Sequence, residues 1–144
     1  MRKNLYFLLL SMILCTNLSA FANFGFGNHT LTFNSFVVGT FEDLVESEFS
    51  IIFNDPNVSI TFEGKTYNYN IEQLGHLKSG GYGFVLSEDK KSVIYLWPND
   101  SPGSFKELIS IKVPGLEVML FRNDIESISS FNSLVKALQT VLGK

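Results

Sequence analysis

The sequence predicts a mainly β, α+β fold: an antiparallel meander of about seven to eight short strands, forming a small barrel or roll closed by a C-terminal amphipathic helix. Three observations lead to this prediction. Short segments of alternating apolar and polar residues recur, turn-forming residues separate them, and the last apolar segment has helical spacing. Consecutive short strands make a twisted sheet that tends to close on itself, and a helix can cover its open end.

The composition describes an ordered chain with one core. The 144 residues include 14 Phe and five Tyr, 45% are hydrophobic and 17% are charged, so the chain can bury enough apolar surface to offset its entropy. The net charge is -3, from 11 Lys and Arg against 14 Asp and Glu. Because nucleic acids are bound by clustered basic side chains, the composition argues against a nucleic-acid partner.

Residues 1–22 have the pattern of a secretory signal peptide. Two basic residues precede an apolar stretch from Leu5 to Cys15, and Ala20-Phe21-Ala22 has the small-x-small form that signal peptidase recognises. The apolar stretch is too short for a transmembrane segment, which takes about 17 to 25 residues. We therefore expect cleavage after Ala22, a single mature domain over residues 23–144, and a secreted or periplasmic location.

Removal of the leader would make the mature chain acidic and free of cysteine. It leaves 122 residues with nine basic and 14 acidic side chains, a net charge of -5, and it removes Cys15, the one cysteine. A disulfide scaffold, a thiol nucleophile and a thiolate metal site are then excluded, so stability must come from packing. Glycosylation at Asn-x-Ser/Thr triplets would require a eukaryotic source, which the sequence leaves open beside a bacterial one.

The first half of the mature chain contains the less regular predicted elements. These are a loose N-terminal lead over residues 23–28, a strand over 31–38, a short helix over 40–48, a strand over 49–53 and a turn over 54–57. The helix is predicted because Thr40 and Asp43 have capping-box spacing and apolar residues share one side. The strand before the turn is predicted from the period-two alternation of Phe49, Ile51 and Phe53.

Three hairpins make up the rest of the predicted sheet. They join strands over 58–63 and 66–71 around Gly64-Lys65, strands over 82–86 and 93–97, and strands over 108–113 and 117–122. Pro114-Gly115 in the third hairpin matches a type II turn, because Pro fixes φ and Gly supplies the positive φ that this turn requires.

The chain ends in a predicted amphipathic helix over about 124–142. Apolar residues from Ile125 to Leu142 recur three and four positions apart, and Ser, Asn, Lys and Gln occupy the opposite side. Asp124 is the predicted N-cap, and Gly143 stands where the helix should end. Because the polar side is not cationic, we expect the helix to pack on the sheet rather than on a membrane surface.

The predicted partner-binding residues are Glu42, Asp43, Glu46, Gly80, Gly81, Tyr82 and Trp97. The three acidic residues belong to a run that ends at Glu48; it lacks the EF-hand pattern and could steer a basic protein partner. The glycines belong to a segment that lacks the P-loop pattern and leads into a strand, so we expect a flexible loop that can approach a partner closely. The indole is expected to share a strand face with Tyr95.

Tyr67 and Tyr69 alternate with asparagines, so both rings face the same side of their strand. Aromatic residues in strands usually belong to the core, and we expect these two rings to do so. On an outward face, the same rings would suit a sugar or a protein contact, because each combines a large apolar area with a polar tip.

Patterns for catalysis and metal binding are weak. His76 follows Glu72 by four residues, which would place the two side by side on a helical turn as the acid-base pair of a hydrolase. No metal-ligand spacing accompanies either His76 or His29, and we expect no metal and no cofactor. The sequence therefore favours an exported, non-enzymatic module that recognises a protein partner, as inhibitors and immunity-type proteins do. The alternative is a carrier that binds an apolar small molecule or lipid inside a small β-barrel.

The leader prediction is tested by N-terminal sequencing of the exported protein. We expect the sequence to begin at Asn23, because cleavage follows Ala20-Phe21-Ala22. Exported protein that still carried residues 1–22 would show the prediction to be wrong.

Overall fold

A computed structural model of the protein describes residues 23–39, 43–78, 80–98 and 107–143. This part of the chain forms eleven β-strands and one α-helix. The strands are β1 (Asn28–Phe33), β2 (Phe36–Val38), β3 (Asp43–Val45), β4 (Phe49–Asn54), β5 (Asn57–Phe62), β6 (Lys65–Asn70), β7 (Gln73–His76), β8 (Tyr82–Val85), β9 (Val93–Leu96), β10 (Glu107–Val113) and β11 (Leu116–Phe121). The helix is α1 (Ile128–Leu142), which follows a 3-10 turn over Arg122–Asp124.

The strands form two antiparallel sheets. Sheet A has the order β1-β4-β5-β6, and sheet B has the order β3-β2-β11-β10-β9-β8-β7. The mainly β class and the C-terminal helix are confirmed, but neither sheet closes into a barrel within the described residues, so the predicted barrel or roll is not confirmed. The strands also do not follow one consecutive meander, because β1 pairs with β4 and β2 pairs with β11.

The segment between residues 31 and 48 differs most from the prediction. The predicted strand over 31–38 is two strands in different sheets, since the chain leaves sheet A after Phe33 and enters sheet B at Phe36. Within the predicted helix over 40–48, the structure describes residues 43–48, and Asp43–Val45 of these form β3. Strand β3 pairs with β2. Thr40 and Glu42 lie outside the described residues. An isolated helix of nine residues is marginal in water, whereas β3 gains backbone pairing to a strand already held in a sheet.

The three predicted hairpins are confirmed, with a shift at the first turn. Phe62 pairs with Lys65, so the turn residues are Glu63 and Gly64 rather than Gly64 and Lys65. Their φ angles are 50° and 74°, and the type I′ turn that suits two-residue hairpins needs positive φ at both positions. This turn determines the register of β6 on β5.

The N-terminal lead is held in place rather than loose. The Asp55 carboxylate accepts backbone N–H bonds from Phe24, Gly25 and Phe26 at 2.8, 2.6 and 3.0 Å. The rings of Phe24 and Phe26 are buried in the core. The prediction missed this because the carboxylate is about thirty residues away along the chain, in the turn between β4 and β5.

Phenylalanine rings fill the space between the sheets and the helix. One cluster joins residues of both sheets and α1. The rings of Phe26 and Phe53 each pack against Phe84, with centroids 5.9 and 4.9 Å apart. A second group of rings stacks at the other end of sheet A, where Phe49 and Phe62 lie 5.2 Å apart.

Helix α1 begins later than predicted, and its predicted apolar face packs against the core. Its N-cap is Ser127, whose hydroxyl accepts from the Ser130 N–H, and not Asp124. Asp124 precedes the helix because residues 124–126 run along the free edge of β1, where Asn34 donates to the Asp124 carbonyl and Glu126 donates to the Thr32 carbonyl. The buried side chains of α1 are Phe131, Leu134, Val135 and Leu138.

Among the described residues, no helix combines the length and the hydropathy that a membrane crossing requires.

Replacing Phe131 tests the packing of α1. The ring is fully buried, so Phe131→Ser should lower the free energy of unfolding by about 3 kcal/mol or more, measured by chemical denaturation. The neighbouring exposed Asn132 provides a control, because Asn132→Ser should change stability by less than about 0.5 kcal/mol. Equal stability of the two variants would contradict the docking of this helix.

Candidate functional site

An exposed apolar side chain lies at one end of sheet B, in a segment of the chain that also carries exposed carboxylates. Leu44 on β3 is 58% exposed, which is a large exposure for a leucine. Asp43, Glu46 and Glu48 are exposed beside it in the chain. We call Asp43, Leu44, Glu46 and Glu48 the acidic edge.

The strand geometry explains how Leu44 comes to be exposed. β3 is the last strand of sheet B and pairs on one side only, with Val37 opposite Leu44. Side chains alternate along a strand, so Leu44 points away from the face that carries its neighbour Val45, and Val45 packs against the core. Because Val45 packs against the core, the side chain of Leu44 is directed into solvent.

Most of the predicted glycine-rich site is buried. Gly81 and Tyr82 are buried, and only Gly80 of the three is exposed. A Cβ at Gly81 would collide with the carbonyl oxygen of Leu96, so this glycine is required for close packing against the neighbouring strand. The expectation of a flexible loop is therefore wrong for Gly81, whereas Tyr82 begins β8, in agreement with the predicted strand over 82–86.

Trp97 belongs to a small apolar cluster rather than to an open patch. It is partly buried against a cluster that includes Leu77, Val85 and Tyr95. Its ring centroid lies 5.8 Å from that of Tyr95, which confirms that the two rings share a face. Gly81 adjoins the same indole, with its Cβ position 3.0 Å from Cδ1.

The predicted binding residues do not converge on one site. Asp43 and Glu46 lie at the β3 end of sheet B, whereas Gly80, Gly81, Tyr82 and Trp97 lie at or beside β8 and β9, with β2, β11 and β10 between the two groups. Glu42 lies outside the described residues. The acidic edge is thus the exposed part of the prediction.

The proposed acid-base pair is not formed on a helical turn. Residues 73–76 are strand β7, and strand residues four apart are separated by far more than one helical turn. Nε2 of His76 lies 3.3 Å from the carbonyl oxygen of Leu142 at the end of α1. Within the described ranges, His, Asp and Glu side chains do not form a group of three that could hold a metal ion.

A second surface contains the two tyrosines that the sequence predicts in the core, with an outward face as the alternative; Tyr69 packs against the core, whereas Tyr67 is exposed. Tyr67 on β6 is 38% exposed, and Tyr69 is partly buried. Both line a cleft of about 250 Å³ beside the turn between β10 and β11, which we call the tyrosine cleft. Its other lining residues are Ile60, Phe62, Val113, Pro114, Gly115 and Leu116. The alternation of Asn and Tyr in the sequence predicts that the two rings lie on the same face of the strand. The rings are accessible because β6 is at the edge of sheet A.

Burial changes the protonation of a few groups in the described chain. Burial raises the pKa of Glu107, at the start of β10, to about 7. Burial, and to a smaller extent the neighbouring Tyr67, raises the pKa of the Tyr69 hydroxyl above its ordinary value. The Tyr69 hydroxyl is therefore a neutral hydrogen-bonding group at physiological pH.

Comparisons of the chain with protein-family models, with curated proteins and with solved structures find no match. The assignment of function consequently depends on the exposed surfaces described above.

The raised pKa of Glu107 predicts a pH dependence of stability. The folded state favours the neutral carboxyl, so this group's contribution to stability is complete below pH 4.5 and is lost as the pH rises through about 7. Chemical denaturation across this pH range should show stability falling with rising pH, and Glu107→Gln should flatten that fall. Glu117→Gln provides a control on the adjacent strand β11, and it should keep the dependence. A Glu107→Gln variant with an unchanged pH profile would contradict the assignment.

Proposed function

We propose that the protein is an exported, non-enzymatic module that binds a protein partner, in the manner of inhibitors and immunity-type proteins, and that the acidic edge is its contact surface. The observation that carries this proposal is the 58% exposure of Leu44 at an open end of sheet B. Three exposed carboxylates lie beside it in the chain, on Asp43, Glu46 and Glu48.

The chemistry of the acidic edge suits a basic protein. An apolar centre loses water when a partner covers it, and this burial slows dissociation. The carboxylates of the same segment attract positive charge over a distance and accelerate association. The partner is therefore a protein with a shallow apolar depression bordered by Lys or Arg.

The carrier alternative receives less support from the geometry. The interior between the sheets is occupied by fully buried rings, including Phe33, Phe53 and Phe84. The tyrosine cleft, at about 250 Å³, is smaller than the roughly 300 Å³ at which pockets for drug-sized ligands begin.

Export supports the same function. The leader pattern lies entirely before residue 23, and every acidic side chain lies after it. Signal removal would thus increase the negative charge of the protein that meets its partner. A basic partner would be met outside the cytoplasm, in the medium or the periplasm.

Photo-cross-linking in the source organism tests the acidic edge. A benzophenone amino acid at position 44 should give one discrete adduct with a protein, because Leu44 is expected to lie at the centre of the interface. The same amino acid at position 52 is the matched control, since Ile52 is also an exposed aliphatic residue, at 41%, but lies in sheet A. It should not give this adduct.

Charge reversal identifies the electrostatic part of the contact. Asp43→Lys combined with Glu46→Lys should reduce the adduct at position 44 by about tenfold or more, because the edge would then repel a basic surface. The absence of a discrete adduct, an identical adduct from position 52, or insensitivity to charge reversal would each contradict the proposed contact surface.

A further inference from the structure

Strand β6 is an open edge of sheet A. It pairs with β5 on one side, and five of its six residues are exposed. The pairing with β5 runs from Phe62–Lys65 to Asn57–Asn70 without a register shift. The pairing of β6 with β5 is therefore regular over the full length of β6, and the free edge of β6 is accessible to solvent.

The register defines which backbone groups face outward. In an antiparallel ladder, hydrogen-bonded and non-hydrogen-bonded pairs alternate, and a two-residue hairpin turn is closed by a hydrogen-bonded pair. Phe62 and Lys65 close this turn, so Lys65, Tyr67 and Tyr69 bond to β5. The N–H and C=O groups of Thr66, Asn68 and Asn70 then point away from the sheet. Among the described residues, no backbone hydrogen bond reaches these groups.

Apart from the exposed Lys65 at its first residue, strand β6 lacks the features that normally prevent strand pairing. Natural sheet edges are protected by charges, proline, bulges or a covering segment. Residues 66–70 contain no charge and no proline, and their pairing has no bulge. The opposite edge of sheet A, β1, is covered at its C-terminal end, where residues 124–126 bond to residues 32–34. In sheet B, β3 has three residues and carries Asp43, and β7 has four and lies against the end of α1.

We propose that β6 pairs antiparallel with β6 of a second copy of this chain, so that the two copies of sheet A form one continuous eight-stranded sheet. The reason for choosing a second copy is that β6 is complementary to itself. With Asn68 opposite the partner's Asn68, the three outward-facing residues of each copy pair with one another and form about six backbone hydrogen bonds. This pairing has the two-fold symmetry of most protein dimers.

The side chains also match in this register. On the tyrosine-cleft face, Tyr67 lies opposite the partner's Tyr69, which is a favourable aromatic pair across strands. On the other face, Thr66 lies opposite the partner's Asn70, so small polar groups meet. Lys65 lies opposite the partner's Ile71, beyond the last backbone pair, and no like charges face each other. The acidic edge belongs to sheet B and stays outside this interface.

The first test is to measure the mass of the protein by sedimentation. The sample is the whole exported protein, purified from its source. We expect twice the chain mass at about 100 µM, the range in which a contact of this size should associate. Asn68→Lys should weaken the dimer by about tenfold or more, because two ammonium groups would then meet at the symmetry axis. Asn68→Pro should also give a monomer, since the backbone N–H that it removes points outward. Both variants lose the exposed hydrogen bond that the Asn68 side-chain oxygen accepts from the Ser59 hydroxyl, so they should stay folded with only a small fall in thermal midpoint.

Disulfide trapping tests the register. With Cys15→Ser in the gene, Asn68→Cys is the one thiol of the chain. The Cα atoms of a hydrogen-bonded pair lie about 5.5 Å apart, a separation that a disulfide spans. Mild oxidation should give a covalent dimer on a non-reducing gel. Ile52→Cys in the same background is the control, because it is exposed on the same face two strands away, and it should stay largely uncross-linked.

Three results would overturn the proposal. They are a monomer at about 100 µM, a dimer that both Asn68 variants leave intact, and equal cross-linking at positions 68 and 52. The acidic-edge adduct at position 44 is measured separately, so failure of this dimer and failure of the proposed function are distinguishable.

Discussion

The packing of phenylalanine rings between the two sheets is the interaction on which the rest of the structure depends. Phe53 of sheet A meets Phe84 of sheet B at 4.9 Å, and Phe26 from the N-terminal segment closes the same cluster. After loss of a leader containing Cys15, the chain would have no disulfide to hold these layers. Large rings bury the most apolar area per residue, so they are an economical way for a small domain to join two open sheets.

Because the inner faces of the sheets are covered by each other and by α1, the strand edges are the places where backbone and apolar groups stay accessible. Residues 124–126 cover β1 before the helix begins, which accounts for the late N-cap at Ser127. The opposite ends of the two sheets, β3 and β6, are left open. One presents a leucine among carboxylates, and the other presents unpaired backbone groups beside two tyrosines. The two surfaces are chemically different and suit different partners.

The candidate site was predictable only where it depended on neighbours in the chain. The charges of Asp43 and Glu46 are visible in the sequence, and side chains of this type stay in solvent because burying a charge is costly. Leu44 lies within the predicted helix over 40–48, yet its exposure follows from the pairing of β3 with β2. Gly81 was assigned to a flexible loop, yet it is required by the close approach of the Leu96 carbonyl. Both errors concern contacts between strands, because Leu44 lies opposite Val37 and Gly81 lies against Leu96, and a residue pattern within one segment does not show such contacts.

The sequence by itself determined the strand periodicity, the turns at Glu63-Gly64 and Pro114-Gly115 to within a residue, the apolar face of the final helix, and the lack of cysteine after Cys15. These properties depend on φ preferences and side-chain alternation, which act over a few residues. Only the tertiary structure decided that β1 pairs with β4, that Asp55 holds the N-terminal segment, and that β3 and β6 are edges. Strands pair in the arrangement that lets their apolar faces be buried together. The residue pattern within one strand does not specify which strands will be its neighbours.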